Sequence, residues 1–220
     1  MYLSLHRHGN GFYPGGDQGD VDKIGEGPGK GFNVNIPFPD GKEKMGDADY
    51  LYAFQQIVMP IAYEFAPDMV IVSAGYDAAE GDHLGLYKVS PAGYAHMTHM
   101  LSVLANGKLL LALEGGYNCE SIAKSAHACV EVLVGDEPRQ LQIEGASATA
   151  TNAVAEVMQV QARHWKSMGV ALETPEQIRQ AGEVVPVSEL LKAHRTYELY
   201  VTYELCKQTS LVRFPFSGTG

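Results

Sequence analysis

The chain has 220 residues, of which 45% are hydrophobic and 19% are charged, and its formal net charge is −10. This length and composition predict one globular domain, or one domain with an appendage. The acidic balance argues against nucleic acid as a direct partner, because binding to phosphates requires a basic face. No apolar run reaches the roughly 18–20 residues of a membrane helix, which argues against a membrane partner as well.

Strand and helix signals alternate along the first two thirds of the chain. Apolar runs predict strands at residues 1–6, 32–37, 69–74 and 108–113. Helical spacing predicts helices at residues 47–65, 90–105 and 120–134. We expect Asp47 or Asp49 to cap the first helix, Pro60 to kink it and Ser90 to cap the second. Alternation of this kind is typical of an α/β fold with a parallel sheet wound by helices.

The remaining segments are less regular. A long glycine-rich loop at residues 9–31 separates the first two strands. After Pro138, small and polar residues predominate over residues 141–151, which predicts a linker. Helical spacing of apolar residues returns at residues 152–166. Further helical segments are predicted near residues 175–181 and 188–206. We therefore expect a main domain over residues 1–168 and an incomplete helical extension over residues 169–220.

Two of the predicted strands each deliver a reactive side chain just past the carboxyl end. Asp77 follows the apolar run at 69–74, and Tyr117 follows the run at 108–113; both runs read as buried parallel strands. Active sites of α/β sheets are built at this edge. A carboxylate there suits a metal ligand, and a phenol suits a donor that polarises a carbonyl oxygen. Taken singly, Asp77 is better explained as a helix N-cap or turn residue, and the alternative for Tyr117 is a surface tyrosine after a flexible turn.

Other candidate ligands are better explained by structural roles. His96-x-x-His99 would place two imidazoles on one helix face, but this pair lies in mid-helix, away from the strand ends. His6 and His8 lie near the end of the first strand, and for them too a structural role is favoured over metal ligation. Asp82, five residues after Asp77, is expected to order a turn.

Six motifs occur in order: SLHR at 4–7, GFYPG at 11–15, GDADY at 46–50, SAGYDAAEGD at 73–82, SPAGYAHMT at 90–98 and LEGGYN at 113–118. Together they resemble the second half of a zinc-dependent class II histone deacetylase, and the segment beyond residue 168 is similar to fungal members. The resemblance implies the three-layer arginase–deacetylase fold, with the C-terminal half present and followed by extra helices. It also implies hydrolysis of N6-acetyl-lysine in proteins.

The resemblance assigns roles to individual residues of a metal site. Asp77 matches a zinc ligand, and Tyr117 matches the tyrosine that stabilises the oxyanion. Ser4 and the carbonyl of Leu5 match a monovalent-cation site, which implies K⁺ beside the zinc.

The resemblance also implies a narrow channel for the acetylated side chain. Tyr13 matches one aromatic wall, where the family usually has phenylalanine, and Phe12 stands beside it. Gly115 and Gly116 would let the backbone approach the substrate closely. The implied partners are acetylated histone tails or other acetylated proteins and a co-repressor complex. The implied setting is chromatin regulation and transcriptional repression in the nucleus, with the cytoplasm as a second compartment.

Part of the family's machinery is missing from this sequence. The chemistry requires a His-His pair as general acid and base, and an Asp-x-His segment that gives two further zinc ligands; neither occurs here. We therefore expect a truncated chain that has no deacetylase turnover alone. Two alternatives are a non-catalytic interaction module derived from a deacetylase and a related hydrolase of acetylated small amines.

Overall fold

A computed structural model describes residues 1–9, 11–12 and 15–169. The strands are β1 (Tyr2–His8), β2 (Asn33–Pro39), β3 (Val70–Ala74) and β4 (Leu109–Leu113). The α-helices are α1 (Asp47–Ala53), α2 (Met59–Phe65), α3 (Pro91–Ser102), α4 (Cys119–Leu133) and α5 (Ala148–Gln161). Among the described residues no helix is both long and apolar enough to cross a membrane. Tyr13 and the helices predicted at 175–181 and 188–206 lie outside the described residues, as does the predicted extension apart from Gly169.

The four strands form two parallel pairs. β1 pairs with β2, from Tyr2 opposite Asn33 to His8 opposite Pro39. β3 pairs with β4, from Val70 opposite Leu109 to Ala74 opposite Leu113. Because α3 lies between β3 and β4 in the chain, this second pair is a βαβ unit, and its two carboxyl ends meet at the same edge. Within the described residues the predicted parallel sheet is thus present as two separate pairs.

The predicted helix at 47–65 forms over its whole length, with a π-helical segment, Phe54–Val58, between α1 and α2. The segment stands just before Pro60, which has no N–H to continue the regular ladder, so the predicted irregularity has its expected cause. The predicted cap was wrong. Gly46 is the N-cap, and Asp49 contributes from the third helical position by accepting a hydrogen bond from the Gly46 N–H at 2.8 Å.

Serine caps fix the beginnings of α3 and α5. Ser90 Oγ accepts a hydrogen bond from the Gly93 N–H at 3.1 Å, and Pro91 occupies the first turn, as the sequence predicts. Ser147 Oγ accepts from the Ala150 N–H at 3.1 Å, so α5 begins at Ala148. The predicted linker therefore ends four residues early, and the helix expected at 152–166 is displaced toward the N-terminus.

The hydrophobic core lies between β2, the helical run that contains α1 and α2, and α5. Its fully buried apolar side chains include Val34, Ile36, Phe38, Ile57, Ile61, Val154 and Val157. The β3–β4 pair differs, because the paired residues Ile71, 65% exposed, and Leu110 lie on an exposed face, and Leu113 is exposed at the end of β4. The expectation that both of these strands are fully buried was wrong for one face.

This contrast predicts unequal costs for the same substitution at two isoleucines. Ile36→Ala removes a side chain with no exposed surface, so it should lower the free energy of unfolding by about 2–5 kcal/mol. Ile71→Ala, the matched control, should change it by less than about 0.5 kcal/mol. Urea unfolding followed by circular dichroism measures both values. Equal losses would contradict the exposure of Ile71.

Candidate active site

The loops that follow β3 and β4 lie against each other. The Glu114 N–H donates to the Ala74 carbonyl at 3.1 Å, and the Tyr76 N–H donates to the Gly115 carbonyl at 3.1 Å. These bonds extend the strand pairing beyond the last residue of each strand. The structure therefore brings together the two chain segments that carry Asp77 and Tyr117.

The Asp77 carboxylate packs against the backbone of both strand ends. A Cβ built on Gly75 would lie 3.2 Å from Asp77 Oδ1, and one built on Gly115 would lie 3.6 Å from Oδ2. Burial raises the pKa of Asp77, and the negative charge of Asp82 adds to the effect, partly offset by backbone N–H groups of Asp77 and Ala78. The carboxylate thus occupies a position at this edge where its charge is poorly compensated by the described residues.

Tyr117 projects into solvent from a firmly held backbone. The residue is 52% exposed, whereas its N–H donates to Asp82 Oδ2 at 2.6 Å. Gly115 and Gly116 precede it with φ values of 114° and 118°, a region that glycine adopts without strain. A Cβ on Gly116 would lie 2.6 Å from the Ile122 side chain, so this glycine also allows the turn to pack on α4.

Two further bonds join the loop after β3 to the beginning of α4. Asn118, the N-cap of α4, donates from Nδ2 to the Gly81 carbonyl at 2.8 Å. Ser121 Oγ donates to the Glu80 carbonyl at 2.7 Å. Together with the Asp82–Tyr117 bond, they join three successive residues of the first loop, Glu80, Gly81 and Asp82, to the segment over Tyr117, Asn118 and Ser121. Asp82, which the sequence predicts to order a turn, does so here and also reaches the second loop.

Gly85 lies directly on the main chain of Asp77. A Cβ at Gly85 would come within 1.8 Å of the Asp77 carbonyl oxygen, so only glycine fits there without movement. The Gly85 N–H donates to Asp82 Oδ1 at 2.9 Å, and its carbonyl accepts from Arg7 Nη1 at 2.9 Å. Gly85 therefore joins the segment of Asp77 to the end of β1.

Arg7 anchors the neighbouring strand pair to this edge. Its guanidinium pairs with Asp40, which follows β2, with an Nε–Oδ1 distance of 2.8 Å. It also covers the ring of Phe12 at 4.3 Å from the ring centroid, which is a cation–π contact. Phe12 is thus held beside the strand ends, whereas Tyr13 lies outside the described residues.

Ser4 and Leu5 lie on β1, and the Ser4 hydroxyl is engaged with a histidine. Ser4 Oγ is 2.9 Å from His6 Nδ1, and His6 Nε2 is 3.0 Å from the Gly19 carbonyl. Burial and the nearby His8 lower the pKa of His6, against the opposing effect of the Gly19 bond. His8 pairs with Asp20. Both histidines tie the glycine-rich loop to β1, in agreement with the structural role that the sequence favours.

Sequence reasoning missed Arg7 and Gly85. A signal for Arg7 existed, since a cation near the end of one strand and Asp40 just past the end of its parallel neighbour must fall at the same edge. No local signal marks Gly85, because its need for a missing side chain arises from Asp77, eight residues earlier. Its closeness could be read only from the folded chain.

With the geometry of this edge established, comparison with known proteins identifies the family. The sequence model of the histone deacetylase domain matches residues 1–133. The chain belongs to the histone deacetylase family. It is 45% identical over 212 residues to histone deacetylase clr3 of Schizosaccharomyces pombe, with coverage of 96% of this chain and 30% of that protein. It is 47% identical over 174 residues to histone deacetylase 15 of Arabidopsis thaliana, with coverage of 78% and 31%.

Solved structures of histone deacetylases confirm the arginase–deacetylase fold predicted from the motifs. The structure of the histone deacetylase Clr3 matches 93% of this chain and 34% of its own length, with a TM-score of 0.74 and 42% identity. The HDA15 HD domain matches 77% of this chain and 45% of its own length, with a TM-score of 0.69. These fungal and plant relatives also confirm the resemblance to class II enzymes. The chain spans 24% to 30% of the length of three fungal relatives.

Zinc is the metal of this family, and the residues of the candidate site show whether they could hold it. Among residues 1–9, 11–12 and 15–169, no group of three or more His, Cys, Asp and Glu side chains is arranged to hold a metal ion. Asp77 alone does not fit a complete zinc site, which takes three protein ligands. Two cavities, one beside Phe32 and Trp165 and one between α3 and α4, are lined by neither Asp77 nor Tyr117.

The contact between Gly85 and Asp77 predicts that replacement of this glycine lowers the stability of the chain. Gly85→Ala should lower the free energy of unfolding by about 1–3 kcal/mol or more, because the new methyl group overlaps the Asp77 carbonyl. Gly41→Ala is the matched control, since a Cβ there meets nothing within 4 Å. Chemical denaturation compares the two variants. A Gly85→Ala chain as stable as Gly41→Ala would contradict the close approach.

The hydrogen bonds to Asp82 predict a pH-dependent contribution to stability. Burial opposes its ionisation, but the N–H donors of Gly85, Tyr117 and Leu84, together with the nearby His83, outweigh this and lower the pKa of Asp82 from its ordinary value of 3.8. Its stabilising effect is therefore fully present above that value and is lost as the pH falls through the lower folded-state pKa.

Asp82→Asn should accordingly lower the free energy of unfolding at about pH 7 and have a much smaller effect at about pH 2. Urea titrations of both chains at the two pH values measure the difference. An equal loss at both would show that the effect does not depend on the charge.

Proposed function

We propose that this chain carries part of the active site of a zinc-dependent protein-lysine deacetylase, an enzyme that hydrolyses N6-acetyl-lysine in histones and other acetylated proteins. The observation that carries the proposal is the meeting of two strand ends that present a carboxylate, Asp77, and a phenol, Tyr117, from hydrogen-bonded loops. The names of the relatives support the reaction, because each is a histone deacetylase. This chain spans less than a third of either relative, so deacetylation by a complete enzyme is itself part of the proposal.

Asp77 is proposed as one ligand of the catalytic zinc. Its carboxylate lies at the strand edge with its pKa raised by burial, and a carboxylate oxygen is a ligand that zinc accepts. When bound, zinc supplies a Lewis acid for the acetyl carbonyl. The further ligands are not among the described residues, and Ser4 with the Leu5 carbonyl is proposed for a K⁺ site on resemblance alone.

Tyr117 is proposed to donate a hydrogen bond to the amide oxygen as that oxygen gains negative charge. A donor that is already in place costs no reorganisation at the moment of reaction, and this is the usual origin of such stabilisation. The backbone of Tyr117 is held by Asp82, while its ring remains accessible to a substrate. The mobile part of the donor is therefore limited to the side chain.

Phe12, Tyr13, Gly115 and Gly116 are proposed to contact the acetyl-lysine side chain. Flat aromatic walls bury the apolar area of an unbranched methylene stem. Support comes from Phe12, which the Arg7 guanidinium holds near the strand ends. The relatives' names support histones as substrates. The nucleus, transcriptional repression and a co-repressor complex are proposed on the resemblance alone.

A chimera tests the proposed function. The part of Schizosaccharomyces pombe Clr3 that precedes its match to this chain is joined to residues 1–168, and acetate release from an acetyl-lysine histone peptide is measured with Zn²⁺ present. We expect turnover in the chimera, and a loss of roughly 100-fold or more in kcat with Tyr117→Phe, since one oxyanion donor is removed. Asp77→Asn should abolish zinc-dependent release.

Two controls accompany the chimera. The 220-residue chain alone is expected to give no release, because its sequence holds neither a His-His pair nor an Asp-x-His segment. Tyr2→Phe removes a phenol from the exposed first residue of β1 and should leave the rate unchanged. A folded chimera without turnover, or one that is indifferent to Tyr117→Phe, would count against the proposal.

A further inference from the structure

The carboxylate of Asp82 is shared between two loops that are distant in sequence. The residue is 3% exposed. Its Oδ1 accepts from the N–H groups of Leu84 and Gly85, each at 2.9 Å, and these bonds close a local turn. Its Oδ2 accepts from the N–H of Tyr117 at 2.6 Å, across 35 residues of sequence. One buried side chain therefore serves two separate backbone segments.

A turn-forming role explains only half of this arrangement. An aspartate that orders a turn needs one oxygen to accept from N–H groups two or three residues ahead, which is what Oδ1 does. The bond from Oδ2 to Tyr117 adds nothing to that turn. It requires an acceptor at the second position of the side chain, which a carboxylate provides and an amide nitrogen does not.

The second bond has a consequence for the geometry of the edge. Gly85, which Asp82 holds through Oδ1, lies on the Asp77 carbonyl, and Tyr117 is held through Oδ2. The separation between the segments of Asp77 and Tyr117 is therefore set in part by the width of a single carboxylate. A charge-assisted bond of this kind is short and directional, which suits a positioning contact.

We propose that Asp82 is a positioning residue that fixes the Tyr117 backbone relative to Asp77, and so places the phenol for its reaction. The inference rests on the proposed function for the role of Tyr117, but the contact itself does not. Without the bond to Oδ2, the turn over residues 82–85 would persist, whereas Tyr117 would lose its own bond to the first loop and keep only the indirect support of the bonds made by Gly115, Asn118 and Ser121.

Asp82→Asn separates the two halves of the arrangement. Asparagine has one acceptor oxygen, which should stay with the two N–H groups of Leu84 and Gly85 because that orientation keeps two bonds rather than one. Its amide nitrogen then faces the Tyr117 N–H and cannot accept from it. Amide hydrogen exchange of the 220-residue chain, followed by NMR, reads all three N–H groups separately.

We expect the exchange of the Tyr117 amide to accelerate roughly tenfold or more in Asp82→Asn, while Leu84 and Gly85 stay within about twofold of the parent chain. In Asp82→Ala all three should accelerate. A fluorine label on the Tyr117 ring gives a second readout, whose resonance should move toward that of free fluorotyrosine in both variants.

Asp47→Asn is the matched control. Asp47 also accepts through both oxygens, from the N–H and the hydroxyl of Ser90 at 2.7 and 2.6 Å, but it serves α3 rather than Tyr117. The Asp47→Asn substitution removes the same charge and should leave both the exchange rate of the Tyr117 amide and the fluorine resonance of its ring unchanged. The inference is overturned if Tyr117 exchange in Asp82→Asn stays within about twofold of the parent, if Leu84 and Gly85 accelerate equally, or if Asp47→Asn has the same effect.

The measurement is made without zinc or substrate, so its outcome is independent of turnover. A chimera that releases no acetate, combined with a Tyr117 amide that responds to Asp82→Asn, would overturn the catalytic role and leave the positioning standing. An active chimera with an unresponsive Tyr117 amide would do the reverse.

Discussion

One buried carboxylate holds together the edge on which the candidate site is built. Parallel pairing of β3 and β4 brings their carboxyl ends to the same side, and backbone hydrogen bonds continue the pairing as far as Tyr76 and Gly115. Beyond these residues the two loops are joined through side chains. Asp82 accepts hydrogen bonds from both loops, and the bonds of Asn118 and Ser121 act in the same direction. The paired strands place the two loops at one edge, and the Asp82 carboxylate fixes the position of one loop relative to the other.

The two aspartates of this edge respond to the same surroundings in opposite directions. Burial disfavours the charged form of both. Asp82 overcomes that cost through three N–H donors from other residues, so its pKa falls below the ordinary value. Asp77 has fewer such donors and feels the charge of Asp82, so its pKa rises. A contrast of this kind, between a carboxylate with hydrogen-bond donors and a poorly compensated one beside it, is common at sites of catalysis.

The sequence predicted the secondary-structure elements of this edge better than it predicted the contacts that hold them together. Ser90 with Pro91 marked the beginning of α3, and the apolar runs marked all four strands within two residues, because these signals are local. Asp77 and Tyr117 could be placed at one edge since parallel strands share the direction of their carboxyl ends. The anchors of the site, in contrast, join residues that are 35 and 78 positions apart, from Asp82 to Tyr117 and from Arg7 to Gly85. Such pairings depend on the packed geometry and leave no periodic trace.

The β3–β4 pair shows how a correct local signal can give a wrong statement about burial. Strands covered on both faces read as continuous apolar runs, and the sequences of β3 and β4 have this character. In the structure, one face of the pair packs against the core, while Ile71 and Leu110 on the other are exposed. An apolar run indicates that a strand is suited to burial on both faces. It does not identify the segment that covers each face. Adjacent large apolar side chains on one surface are typical of a face that another layer covers. This exposed face separates the β3–β4 pair from β2, whose residues Val34, Ile36 and Phe38 are fully buried in the core.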